Sequence, residues 1–368
     1  MLTKLDDTLR HQLPDTFDHV YTSDPRFYDR YWFGIFDQSG EIAMLVGMGA
    51  YSNTNVLDGF TAIMRDGKQY NLRASRELRP AMDDTSVGPL QIEVVEPLKT
   101  LRLRVQPGEH RFSYDLVWDG FLSPHEEEHH FARSNGRVTQ DYRRFDQVGT
   151  VSGWLDLDGT RYEPQSWFGA RDHSWGVRPG MGAVEPANGA PDTSALENGF
   201  LFLWLNTLAG DTVVYFQSVE DGSGNRVSLE GWIRRPGVDK RVIDLEHEIE
   251  FFAGTRSASK ARVVLTAADG EKVTIDAEPL TSAPFAFVGT GYDNGFNDGL
   301  GLGVYRGELL VEHDVFDVSH PADVVLPDGS AVRPGHREGP FRVWVNGVET
   351  VGHFPIMSAG PIARYGLE

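Results

Sequence analysis

The stretch TAIMRDGKQYNLRA, residues 61–74, decides the fold. Two runs rich in aliphatic, β-branched and aromatic residues flank Asp66-Gly67, a pair that supplies positive φ where a tight hairpin needs it. The same pattern recurs along the chain. ARVVLTA and EKVTIDA flank Asp269-Gly270, and FRVWV and VETVGHF flank Asn346-Gly347. Asp158-Gly159 and Asp328-Gly329 add two more turn signals. Helical signals are few. Leu2 to Leu13 reads as one short amphipathic helix, and RASRELRPAM, 73–82, as a further turn or two. The expectation is an all-β chain, an antiparallel meander long enough to close into barrels or sandwiches.

The 40 glycines and 20 prolines are spread along the 368 residues, which fits many turns rather than a disordered tail. That length is about twice a typical domain. A boundary is expected in the Gly-, Pro- and Ala-rich loop 176–199, with one half at 1–178 and the other at 195–368.

A net charge of −20 repels phosphate backbones, so no nucleic acid is expected as partner. It also disfavours docking on anionic membrane. Cysteine is absent, which excludes disulfides and thiolate chemistry. Residues 1–20 show no apolar core of a secretory signal, and the longest apolar run, FLFLWL at 200–205, is strand-sized. A cytoplasmic protein with no stable membrane insertion is the expectation. No GxSxG occurs, and no GxGxxG sits between a strand and a helix, so no cofactor is expected.

RDHSWGVR, 171–178, is the most distinctive segment. On a strand, Asp172 and Ser174 face one way while Arg171, His173 and Trp175 face the other. An acid against an aromatic wall has a raised pKa and serves as proton donor. The competing structural account has Arg171 and Asp172 as an ion pair, His173 bonded to backbone and Trp175 in the core.

RDHSWG, preceded by FDQVGTVSGWLDLDG at 145–159, resembles the signature region of the two-domain lipocalin-like (calycin) superfamily of carotenoid 1,2-hydratase type. Tocopherol cyclase and fungal lipocalin-like cyclases are similar at greater distance. The resemblance covers roughly 145–178. It implies two lipocalin-like antiparallel barrels or half-barrels packed side by side. It also implies cofactor-independent hydration, dehydration or cyclisation of a hydrophobic, terpenoid-like substrate. Asp172, His173 and Trp175 would then lie at or near the site, with Asp172 and His173 catalytic and Arg171 beside them. Trp154, Trp167, Trp204 and Trp232 are candidates for a cation-stabilising wall.

Three weaker features complete the list of candidates. HEEEHH, 125–130, has a His-x-x-x-His spacing but not the HExxH order, and reads as a solvated acidic loop or strand edge. YDNGFNDGLGLGVYRG, 292–307, reads as a turn before a strand, with Tyr292 and Asp293 reaching the pocket. EHDVFDVSH, 312–320, alternates like an exposed strand, with His313 and Asp314 at the surface. Beside the lyase or isomerase stand two other functions. One is a carrier of a hydrophobic small molecule; the other is a hydrolase of an ester or carbohydrate. No metal site is expected, and the sequence leaves a homo-oligomer open.

Overall fold

The computed structural model describes every residue except 1, 2, 8, 10, 12, 183–193, 282, 283, 293–295, 321 and 334–336. Asp66-Gly67, Asp158-Gly159 and Asn346-Gly347 each place both residues at positive φ, as two-residue hairpin turns require. At Asp269-Gly270 and Asp328-Gly329 only the glycine does so, and the turns are longer.

The hairpins build two β units. In the first, the strands run in the order Lys68–Glu77, Val56–Arg65, Ala43–Tyr51, Phe27–Phe36, Trp167–Val177, Arg137–Leu157, Phe112–Gly120, Thr100–Val105 and Leu90–Glu96. This sheet curls until its ends meet through side chains, with Val87 and Leu90 against Gly59. Met44, Val46, Tyr114 and Leu116 fill the interior. In the second unit, eight strands between Phe200 and His353 form a closed antiparallel barrel. Its closing ladder joins Phe200–Ala209 to Thr212–Asp221. Leu203, Leu205, Phe216 and Ile275 pack its centre, as an eight-stranded barrel allows. Each such side chain contributes about 1.5–3 kcal/mol by leaving water.

These are the two lipocalin-like units, one a half-barrel and one a barrel. A third apolar cluster joins them. Trp32, Phe36 and Phe168 from the outer face of the first sheet meet Val213, Val351 and the Phe285–Val288 segment. Strands of the first sheet are therefore buried on both faces, which explains runs such as AMLVGMGAY at 43–51.

Several local expectations are corrected. RASRE is not helical: it continues the strand Lys68–Glu77, because its side chains alternate. Arg73 is buried on the outer face, where it donates to the Gly289 carbonyl, while Arg76 donates to the carbonyls of Ser86 and Asp84. In the N-terminal segment only Lys4–Asp7 forms a short 3-10 turn, and several positions between Leu2 and Leu13 lie outside the described residues. Residues 183–193 of the loop 176–199 do too; beyond them comes one helical turn at Ser194–Asn198.

The expected surface strand does form, as Leu309–Asp317, but it pairs along Lys68–Glu77 in the first unit. Asp314 is not a surface residue there: it holds the fully buried Arg73 at 2.6 Å. The described residues of the run 292–307 form glycine-rich turns that lead into the strand Leu309–Asp317; residues 293–295 lie outside the described residues. Among the described residues, no helix is long and apolar enough to cross a membrane.

Candidate active site between the two units

Apolar side chains pack the centres of both units. A cleft of about 420 Å³ opens between the units, walled on one side by three strands of the first sheet. Their antiparallel register sets the wall row by row. Trp32, Asp172 and Asp146 stand side by side, then Arg30, Ser174 and Arg144, then Tyr28, Gly176 and Tyr142. Gly176 sits at φ 134°, and a Cβ there would lie 2.3 Å from the Asp141 carbonyl oxygen, so this row needs glycine.

The barrel supplies the opposite wall through Phe200, Phe202 and Trp204. In FLFLWL the leucines point into the barrel and the aromatic rings into the cleft, a period-two split hidden in a continuous apolar run. Phe287 and Tyr292 complete the enclosure from a connecting loop.

A charged cluster lies behind Arg144, His130 and Gln217 of the cleft lining. Glu127, fully buried, accepts hydrogen bonds from Tyr215 Oη at 2.6 Å and Arg144 Nε at 2.8 Å. His130 Nε2 lies 2.6 Å away, and Gln217 donates a further short bond. Burial works to raise the Glu127 pKa. The Arg144 charge, helped by Asp146 and His130, outweighs it and holds the carboxyl well below the usual range. HEEEHH is thus not simply a solvated loop. Glu126 and Glu128 face water, but Glu127 is the hub between the units.

Asp146 is the converse case. Neither of its buried oxygens has a donor. Burial and the adjacent Glu127 carboxylate push its pKa well above the ordinary value, which favours the neutral acid. Asp172 is also buried and lines the cleft; its one hydrogen bond, from Ser174 Oγ, is long at 3.4 Å. Burial pushes its carboxyl up, opposed by the charges of Arg144 and Arg178.

A folded-state pKa raised above the unfolded one adds stability that is whole at pH below the ordinary Asp value and is lost as pH rises from there. Asp146→Asn, which cannot ionise, is therefore expected to gain on the wild type as pH rises. The gain is up to about 1.4 kcal/mol per pH unit across that window. Urea midpoints of both proteins across the weakly acid to neutral range measure it; parallel curves contradict a neutral buried Asp146.

The pleat separates the remaining candidates. His173 and Trp175 do not share the cleft with Asp172. They face the other side of the sheet and line a more open groove with Asp29, Tyr31, Phe145 and Arg171. His173 Nε2 lies 2.7 Å from Asp29 Oδ1, not on a backbone atom. Trp175 is 37% exposed rather than core.

Arg171 makes no ion pair with Asp172. It donates to Gln147 Oε1 at 2.7 and 3.1 Å and stacks on Trp118 and Phe145, and burial pushes its pKa down to about 10. Trp167 belongs to the core of the first unit. Trp154 lies under Arg161, with the guanidinium carbon 4.0 Å from the ring centroid, away from the cleft. Trp204 and Tyr292 line the cleft; Asp293 lies outside the described residues.

Sequence reading missed Arg30, Arg144, Arg178, Glu127 and Asp146. The signal was present in part: Arg144-x-Asp146 and Asp172-x-Ser174 repeat polar groups at period two on one face of their strands.

The fold and cleft define a two-unit lipocalin-like β protein with a charged site between its units. The chain belongs to the family of unknown function DUF8625, whose model matches residues 2–329. Comparison with curated proteins gives no match. Among solved structures it is similar to a candidate AttH of Nitrosomonas europaea. There the TM-score is 0.53 at 13% identity over 91% of this chain and 93% of that one, a likeness of fold. CghA with Sch210972 gives a TM-score of 0.48 at 12% identity, over 91% of this chain and 89% of that one. Kievitone hydratase from Nectria haematococca gives 0.47 at 11%, over 89% and 87%.

Proposed function

We propose that the cleft is the active site of a lyase or isomerase that uses Asp172 as proton donor. The observation that carries this reading is a carboxyl kept up by burial, opening onto a ligand-sized space with aromatic walls. Protonated Asp172 gives its proton to an alkene carbon of the substrate, or to a hydroxyl that leaves as water. Either step leaves a carbocation. The faces of Trp32, Trp204 and Tyr292 stabilise that cation, while Arg144 and Arg178 stabilise the Asp172 carboxylate that remains. Attack by water with loss of its extra proton, or loss of a neighbouring C–H proton, either directly or after an internal double bond has closed a ring and carried the charge to a new carbon, ends the reaction and returns a proton to Asp172. The apolar body of the substrate, terpenoid-like in size, lies against Phe200, Phe202 and Phe287.

The test is incubation in deuterium oxide with a panel of terpenoid alkenes and alcohols, read by gas chromatography and mass spectrometry. The expected result is an added, lost or cyclised product with solvent deuterium at a new C–H wherever an alkene was protonated. Tight binding across the panel, seen by tryptophan quenching, with no product from any member, would identify a carrier instead.

A further inference from the structure

Two of the cleft's three arginines have no carboxylate in contact among the described residues. Arg144 has Glu127, and the other strongly buried arginines pair similarly, Arg26 with Asp24 at 2.6 Å and Arg73 with Asp314 at 2.6 Å. Arg171, on the opposite face, is satisfied by an amide oxygen. Arg30 and Arg178 differ. Among the described residues no carboxylate oxygen lies within 4.0 Å of either. Both Nε atoms are buried without a partner.

Among the described residues, the hydrogen-bond acceptor each guanidinium reaches is the sulfur of Met181, at 3.7 Å from Arg30 Nη1 and 4.0 Å from Arg178 Nη2. A thioether is a weak acceptor. Aromatic faces cover what remains, Tyr292 at 4.4 Å from the Arg30 guanidinium carbon and Tyr28 at 5.3 Å from that of Arg178. Burying a guanidinium without an anion costs several kcal/mol, so a sequence that places two on one cleft wall has kept them for a ligand.

We propose that the molecule bound in this cleft carries an oxyanion headgroup, a carboxylate or a phosphate, held by Arg30 and Arg178. This deepens the lyase reading and rests on it for the identity of the site. The apolar tail then runs along Phe200 and Phe202, away from Met181, and the headgroup fixes which carbon of the tail lies over Asp172. Two guanidiniums converging on one sulfur present their donors to one small, multiply accepting group.

The experiment titrates geraniol, geranic acid and geranyl phosphate into the full chain and reads tryptophan quenching, which Trp32 and Trp204 report from the cleft wall. At least one acid is expected to bind about 10- to 100-fold more tightly than the alcohol, the range of one or two charge-assisted hydrogen bonds. Which acid binds better names the headgroup.

Arg30→Met and Arg178→Met are each expected to abolish that preference by weakening acid binding about 10-fold or more relative to alcohol binding. The melting temperature of Arg30→Met should hold or rise, because that variant removes a buried charge with no carboxylate in contact. Equal affinity for acid and alcohol in the wild type, or an acid preference that survives both substitutions, overturns the proposal. The outcomes separate from those of the lyase reading. Arginine-dependent acid binding without turnover keeps the headgroup and discards the enzyme, whereas turnover of neutral alkenes with no acid preference does the reverse.

Discussion

Asp172→Asn is expected to lower turnover by about 100- to 10,000-fold, the range that a positioned general acid contributes. Ligand affinity and melting temperature should stay close to those of the wild type. The amide keeps the shape and the acceptor for Ser174 Oγ but has no proton to give at weakly acid pH. Because Asp172 bears only that long hydrogen bond and forms no ion pair, its removal leaves no buried cation newly exposed. The measurement is kcat and Kd side by side on whichever substrate the deuterium panel identifies. Turnover within a few-fold of the wild type removes Asp172 from the chemistry.

Glu127→Ala is expected to cost about 3–5 kcal/mol of stability, the price of breaking a buried pair from one side. The loss comes from the partners. Arg144 is stranded in the interior, and Tyr215 and Gln217 of the barrel lose their acceptor in the first unit. Asp146 limits the damage, since it can ionise beside Arg144 once the competing carboxylate is gone. The same substitution made in an Asp146→Asn background is therefore expected to cost more than the two single effects added. Urea denaturation of the four proteins gives the coupling. Strict additivity contradicts the view that these two carboxyls share the Arg144 charge.

The sequence revealed the β class through its turns, because Asp66-Gly67 and Asn346-Gly347 act locally and their backbone requirement needs no partner. It also revealed which way the residues of RDHSWG point. What it did not reveal is what lies on the other side of each face. A period of two assigns Asp172 and His173 to opposite faces, yet only the sheet order tells which face meets the barrel and which meets an open groove. Glu127 looked like one acid among three, since burial there is created by Tyr215 and Gln217, about 90 residues away in sequence. Arg30 carried no signal at all. Its meaning lies in the absence of a nearby carboxylate, and that is a property of three-dimensional neighbours.

The pairing of Leu309–Asp317 with Lys68–Glu77 has a consequence for synthesis on the ribosome. When the first 177 residues have emerged, Lys68–Glu77 still shows a bare row of peptide groups. It keeps that row until more than 130 further residues are made. During that interval the nascent chain offers a template to any extended segment nearby, including its own copies on the same messenger. A product released short of residue 309 is left in that state permanently.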